Sequence, residues 1–240
     1  MAVNQEKKKN KTVSTPIPKK APVLKKDLFD TLDDFFTRKG KLFFYAGIGL
    51  TILFSLLLFD LKVSPGGDDS AYISRAFDFA HGFTFPGFSG PFYPIVLSIF
   101  IWIFGINLFI LKLFSLLCMV GSMFFFYKTF SGKIPQTVVT LSFIILGINY
   151  SLLYYSSQTY SEAFFILLQS IFFWFAASKF TIEDLQKNSI GNYLVLGLLV
   201  LLLTLTRNIA FAAIIAVTFF FLINRKWKET LMWLGSDAVC

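Results

Sequence analysis

The sequence predicts an all-α, polytopic membrane protein with about six transmembrane helices, and composition, run length and charge distribution each point that way. Hydrophobic residues make up 55% of the 240 and charged residues 15%, with a mean hydropathy of +0.67. A water-soluble globule of this size has no interior large enough to hide that much apolar surface. The apolar side chains gather in runs at residues 42 to 59, 91 to 106, 108 to 127, 135 to 156, 163 to 178 and 192 to 223, in which Lys112 and Arg207 are the charged residues, and most of these runs are close to the length of a membrane span. Positive charge is segregated between them.

The segment before the first run is basic. Residues 1 to 41 hold eleven of the twenty-two lysines and arginines. Its KKKNKTVSTPIPKKAPVLKK stretch has little to bury and is expected to be disordered, followed by a short amphipathic helix through DLFDTLDDFFTRKG. The assignment is a cytoplasmic tail flanking the first span rather than a nucleic-acid-binding arm. No cleavable signal peptide is expected, because the first apolar run begins far from the N-terminus. Cys118 and Cys240 suggest neither a disulfide framework nor a metal site.

Charge parity orders the spans. A single helix over residues 192 to 223 would be roughly 48 Å long against a hydrocarbon core of roughly 30 Å, so this run is read as two short spans meeting near Arg207 and Asn208. If residues 91 to 106 also spanned, the Lys128/Lys133, Lys179/Lys187 and Arg225/Lys226/Lys228 groups would all lie outside. Lying in the interface, the run leaves all three groups inside with the tail, as the positive-inside rule requires. The expected spans are then residues 42 to 59, 108 to 128, 135 to 155, 163 to 179, 192 to 206 and 208 to 223, with both termini cytoplasmic. The corresponding domains are a tail (1 to 41), a transmembrane module (42 to 225) with an outer loop at 60 to 107, and the start of a continuation (226 to 240).

The outer loop carries GGDDSAYISRAFDFAHG, which has the signals of a helix lying on the membrane. Acids stand at its N-terminal end, a glycine closes it, and Tyr72, Ala76, Phe79 and Ala80 form an apolar face. A second interfacial helix follows from Pro91. Asp68 and Asp69 are either helix caps or, through mutual repulsion, a source of a base near neutrality. Glu162 opens a span on the same side. Arg207 interrupts an apolar run, which costs at least about 2.5 kcal/mol unless it finds an anion, a water-filled cavity or the interface. Lys112 raises the same question one turn into its span. Two cations and three acids on one membrane face suit a phosphate beside a reacting hydroxyl.

In order along the chain, GDDSAYISRAFDFAHG, GPFYPIVLSIFIWIFG, ILKLFSLL, YYSSQTYSEAFFILL and LLLTLTRNIAF resemble the GT-C type membrane glycosyltransferases, in particular the branch shared by bacterial aminoarabinose transferases and protein O-mannosyltransferases. The resemblance covers about residues 42 to 225. It implies transfer of a sugar from a polyprenyl phosphate, with inversion, to a lipid, glycan or protein acceptor outside the cytoplasm of a bacterial cell, at the inner membrane. On the family pattern Asp68 is the catalytic carboxylate, with Asp69 where Glu is usual. Glu162 and Arg207 match the second acidic position and the basic residue after LT, and Lys112 falls where Arg is common, near the donor phosphate. Tyr72 joins this substrate-binding set.

The chemistry asks for a base at the acceptor hydroxyl and cations at the leaving phosphate, which replace the general acid of a glycosidase. Three carboxylates could hold a divalent metal, but the reading favours no cofactor and no nucleic-acid partner. Two departures stand out. Gly90 occupies the position before Pro91 where aminoarabinose-type enzymes carry a basic residue, and family members are longer, so LMWLGSDAVC reads as the start of a further apolar segment. The rival classes are a transporter or flippase subunit, with charges spread through the membrane depth, and a non-catalytic scaffold.

Overall fold

The computed structural model describes residues 27–63, 67–88, 90–180 and 188–239. Most of the basic tail and Lys187 lie outside them. Among the described residues the chain is helical, with an isolated bridge between Ser131 and Ile134, so the all-α expectation holds.

Helix α1 runs without a break from Leu28 to Leu57. Its start is set by Asp27, whose carboxylate accepts the Leu28 N–H at 2.7 Å. The sequence suggested a short amphipathic helix and then a separate span, but no proline or left-handed residue lies between them to end the first. At Gly40 the helix presses on its neighbour, since a Cβ there would sit 3.1 Å from Gln136 Nε2.

Helices α2 (Asp68–Gly82) and α3 (Phe92–Phe104) pack against each other in the first loop. The buried face of α2 is Asp69, Ile73 and Ala76, so Ile73 joins the stripe expected from Tyr72, Ala76, Phe79 and Ala80. Phe83, one residue past the glycine expected to close the helix, takes the left-handed conformation (φ 49°). Helix α3 is about 20 Å long, short of a bilayer core. Its Tyr93, Leu97 and Ile101 face inward while Trp102 and Ile103 are exposed.

Helices α4 (Leu108–Phe130) and α7 (Ser161–Lys179) form the main packed pair. Phe92, Tyr93 and Phe114 surround the Phe164 ring at centroid distances of 5.6, 5.8 and 5.8 Å, seating the start of α3 against α4 and α7. Between the pair come α5 (Gln136–Ile148) and α6 (Tyr150–Ser157), which meet at a bend of 57°. One continuous span was expected here. Asn149 breaks it, with extended backbone and a side-chain oxygen that accepts the Leu152 N–H at 3.2 Å, so that α6 starts afresh.

The last apolar run divides where the sequence suggested. Helix α8 (Ile190–Thr206) ends at Arg207, which is extended (φ −151°), and a 3₁₀ turn at Asn208–Ala210 leads into α9 (Phe211–Ile223). Helix α10 (Trp227–Val239) folds back, its buried Trp233 donating to Thr218 Oγ1 at 3.2 Å. Three helices, α1, α4 and α7, are long and apolar enough to cross a membrane, and the bent pair α5–α6 makes a fourth if taken as one span. Helices α8 and α9, expected as two more, are short, at 17 and 13 residues.

Candidate active site

The N-terminal ends of α4 and α7, the C-terminal end of α8 and the start of α2 share one end of the bundle. Two cation–carboxylate pairs stand there, and they differ in what surrounds them.

At the first, Arg207 Nη1 lies 2.5 Å from Glu162 Oε1, with the two side chains 37% and 22% exposed. Glu162 sits in the first turn of α7, where a negative charge meets the helix dipole. Arg207 reaches it because α8 stops one residue earlier and packs antiparallel to α7. Ser161 joins the two to the loop, its hydroxyl lying 3.4 Å from Arg207 Nη1 and 3.1 Å from the Tyr72 hydroxyl. Tyr72 is held edge-on against Tyr93 at 5.1 Å. Of the residues singled out from the sequence, the structure thus brings Tyr72, Glu162 and Arg207 together, with Ser161, a small polar residue that carries no signal of its own, as the link.

The acid pair opens α2 one turn before Tyr72. Consecutive helical residues point about 100° apart, so Asp68 is exposed while Asp69 is buried, its Oδ1 accepting the Ser70 N–H at 2.8 Å. The two carboxylates therefore face different surroundings. Among the described residues no group of three His, Cys, Asp or Glu side chains is placed to hold a metal ion.

Lys112 is the second cation, and it is enclosed. It is 1% exposed, and its ammonium donates to Asp60 Oδ1 (2.5 Å), the Asp60 carbonyl (2.6 Å), the Lys62 carbonyl (3.0 Å) and Gln158 Oε1 (2.9 Å). An ammonium has three protons to give, so this one is saturated. The hydrogen bond from Lys112 holds the Asp60 carboxyl below the usual carboxylate range. Asp60 was passed over in the sequence, although it is the acid closest to a span end facing an intramembrane lysine, and such a lysine needs a counter-charge.

Gly90 accounts for one departure from the family pattern. Its φ is +69°, and a Cβ there would lie 2.4 Å from the Thr206 carbonyl oxygen, so the loop before α3 rests on the end of α8 with no room for a basic side chain. Beside this contact runs a groove of about 560 Å³, with Phe88, Phe92 and Ile95 on one wall and Leu201, Leu205 and Phe211 on the other. Leu205 and Asn208, both on its wall, flank Thr206 and Arg207 in the chain.

The family described as dolichyl-phosphate-mannose-protein mannosyltransferase matches residues 88–240. That match contains Lys112, Glu162 and Arg207 and begins after Asp68, Asp69 and Tyr72. No curated protein and no solved structure matches the chain. With well over half its length matched, the chain belongs to the dolichyl-phosphate-mannose-protein mannosyltransferase family, a family of membrane glycosyltransferases.

Proposed function

We propose that this chain transfers a sugar from a polyprenyl-phosphate donor to a hydroxyl of a lipid, glycan or protein acceptor on the outer face of the membrane, with inversion at the anomeric carbon. The observation that carries the proposal is the half-open Arg207–Glu162 pair, set beside an apolar groove and beneath the helix that begins with Asp68. A polyprenyl phosphate has the two parts these features suit. Its chain occupies the groove, and its phosphate reaches Arg207, whose planar guanidinium binds phosphate oxygens in pairs.

Asp68, exposed at the helix start, takes the proton of the acceptor hydroxyl. The acceptor oxygen attacks the anomeric carbon from the face opposite the phosphate. The bond from that carbon to the phosphate oxygen breaks, the electron pair leaves with the phosphate, and Arg207 neutralises the charge that develops. Asp69 holds the start of α2 in place, and Tyr72 with Ser161 ties α2 to the arginine. Lys112 acts at one remove, fixing residues 60 to 62 and so the entry to the loop. The setting is a bacterial inner membrane with both chain termini in the cytoplasm, the side favoured by the distribution of lysine and arginine.

Sugar transfer from a polyprenyl-phosphate donor, measured in membranes carrying the protein, tests this assignment. Asp68→Asn is expected to lose about 10²- to 10⁴-fold in rate, the usual worth of a general base. Undiminished transfer in that variant would remove Asp68 from the chemistry, and no transfer by the parent protein would favour a transport or scaffold role.

A further inference from the structure

The far end of the bundle, about 27 Å from Lys112 along α4, carries a polar cleft that sugar transfer does not use. It has a volume of about 710 Å³ and lies between residues 33 to 41 of α1 and the turn joining α4 to α5. Arg38, Lys41 and Lys133 line it and are exposed. Arg38 and Lys41 make no ion pair among the described residues, and Lys133 spends one proton on the Ala177 carbonyl at 2.9 Å.

Among the described residues the cleft holds one carboxylate, Asp33, and it is already committed. Its Oδ1 accepts the Thr137 N–H at 2.9 Å and the Thr137 hydroxyl at 3.1 Å, capping α5. The wall therefore keeps a net charge of two positives. Gln136 supplies a second and independent sign of a ligand. It lines the cleft yet is 9% exposed; its Oε1 accepts from the Ser131 hydroxyl at 3.3 Å, and its Nε2 is a buried donor with no protein partner. Gly40 of α1 packs against that nitrogen, since a Cβ there would lie 3.1 Å from it.

We propose that this cleft binds the phosphate of an anionic membrane phospholipid. Buried donors seek acceptors, and the phosphate oxygens provide them where three cations already hold the charge. A lipid rather than a soluble anion is indicated by what adjoins the cleft. From it, exposed apolar side chains continue along the two helices that form it, Leu42 and Tyr45 on α1 and Val138, Leu141 and Ile145 on α5, giving acyl chains a surface to lie on while the headgroup is held.

Native mass spectrometry of the purified protein with added phosphatidylglycerol or phosphatidylcholine tests this, in the presence and absence of millimolar glycerol phosphate. Phosphatidylglycerol is expected to stay bound in preference to phosphatidylcholine, undisturbed by glycerol phosphate. In an Arg38→Gln/Lys41→Gln variant the preference should fall about 30-fold, at about one kcal/mol per basic residue, and Arg38→Lys with Lys41 kept should retain most of it. Both side chains are exposed, and an unchanged melting temperature establishes that the variant folds. Equal retention of the two lipids, an unchanged preference in the variant, or displacement by glycerol phosphate would each overturn the proposal.

Discussion

The Arg207–Glu162 pair and the Lys112–Asp60 pair occupy the same end of the molecule and share one chemistry, yet only the first has an open cation, since Lys112 is buried although its partner Asp60 is more than half exposed. Lys112 has more acceptors than protons and is 1% exposed. Arg207 has a carboxylate and one long contact to a hydroxyl, and more than a third of its side chain meets solvent. A guanidinium with five N–H donors and that little to bind has capacity to spare. What separates an enclosed cation from an open one is thus the ratio of acceptors to donors around it, which residue type and position along the chain do not state.

The sharpest way to break the comparison is to remove the counter-charge of the sealed pair. Asp60→Ala leaves the Lys112 ammonium buried with neutral acceptors. Since the lost carboxylate is itself more than half exposed and screened by solvent, stability is expected to fall by about 2 kcal/mol rather than by the full cost of a buried pair, read from thermal melting in detergent. Were melting unmoved, the sealed pair would be no more structural than the open one. Gly90→Ala attacks the contact that sets the end of α8 beside the loop; its positive φ and the Thr206 carbonyl in its way predict a loss of about 2 kcal/mol in the same measurement.

A pH scan sharpens the contrast. Because the Asp60 carboxyl is held below its ordinary range, its contribution is present above the unfolded-state value and is lost as the pH drops through the folded-state value. Melting temperature should therefore fall at the acid end of the scan, and Lys112→Met should lessen that fall. The smallest effect is expected at the bend between α5 and α6, where Asn149→Ala removes a helix cap worth about 1 kcal/mol.

Much of the fold was legible because the bilayer enforces simple rules. A run of apolar residues too long for one span and holding a charge had to divide, and it divides at Arg207. Counting lysines per loop put Glu162 and Arg207 at one end, where the structure joins them. The bend at Asn149 was hidden, since asparagine within an apolar run signals a cap only once its backbone turns extended. Asp60 was hidden for another reason. Its partner lies 52 positions along the chain, and hydropathy carries no information about which loop acid a buried lysine will reach. The separate fates of Asp68 and Asp69 needed the rotational phase of α2, which depends on how it docks against α3.

The open pair makes the central claim, and sugar transfer from a polyprenyl-phosphate donor by Arg207→Gln tests it most directly. Its ion pair is partly exposed and worth at most about 1 kcal/mol to the fold, so the variant should melt near the parent temperature while its rate falls about 10²- to 10³-fold. A variant that folds normally and transfers sugar at the parent rate would contradict the account.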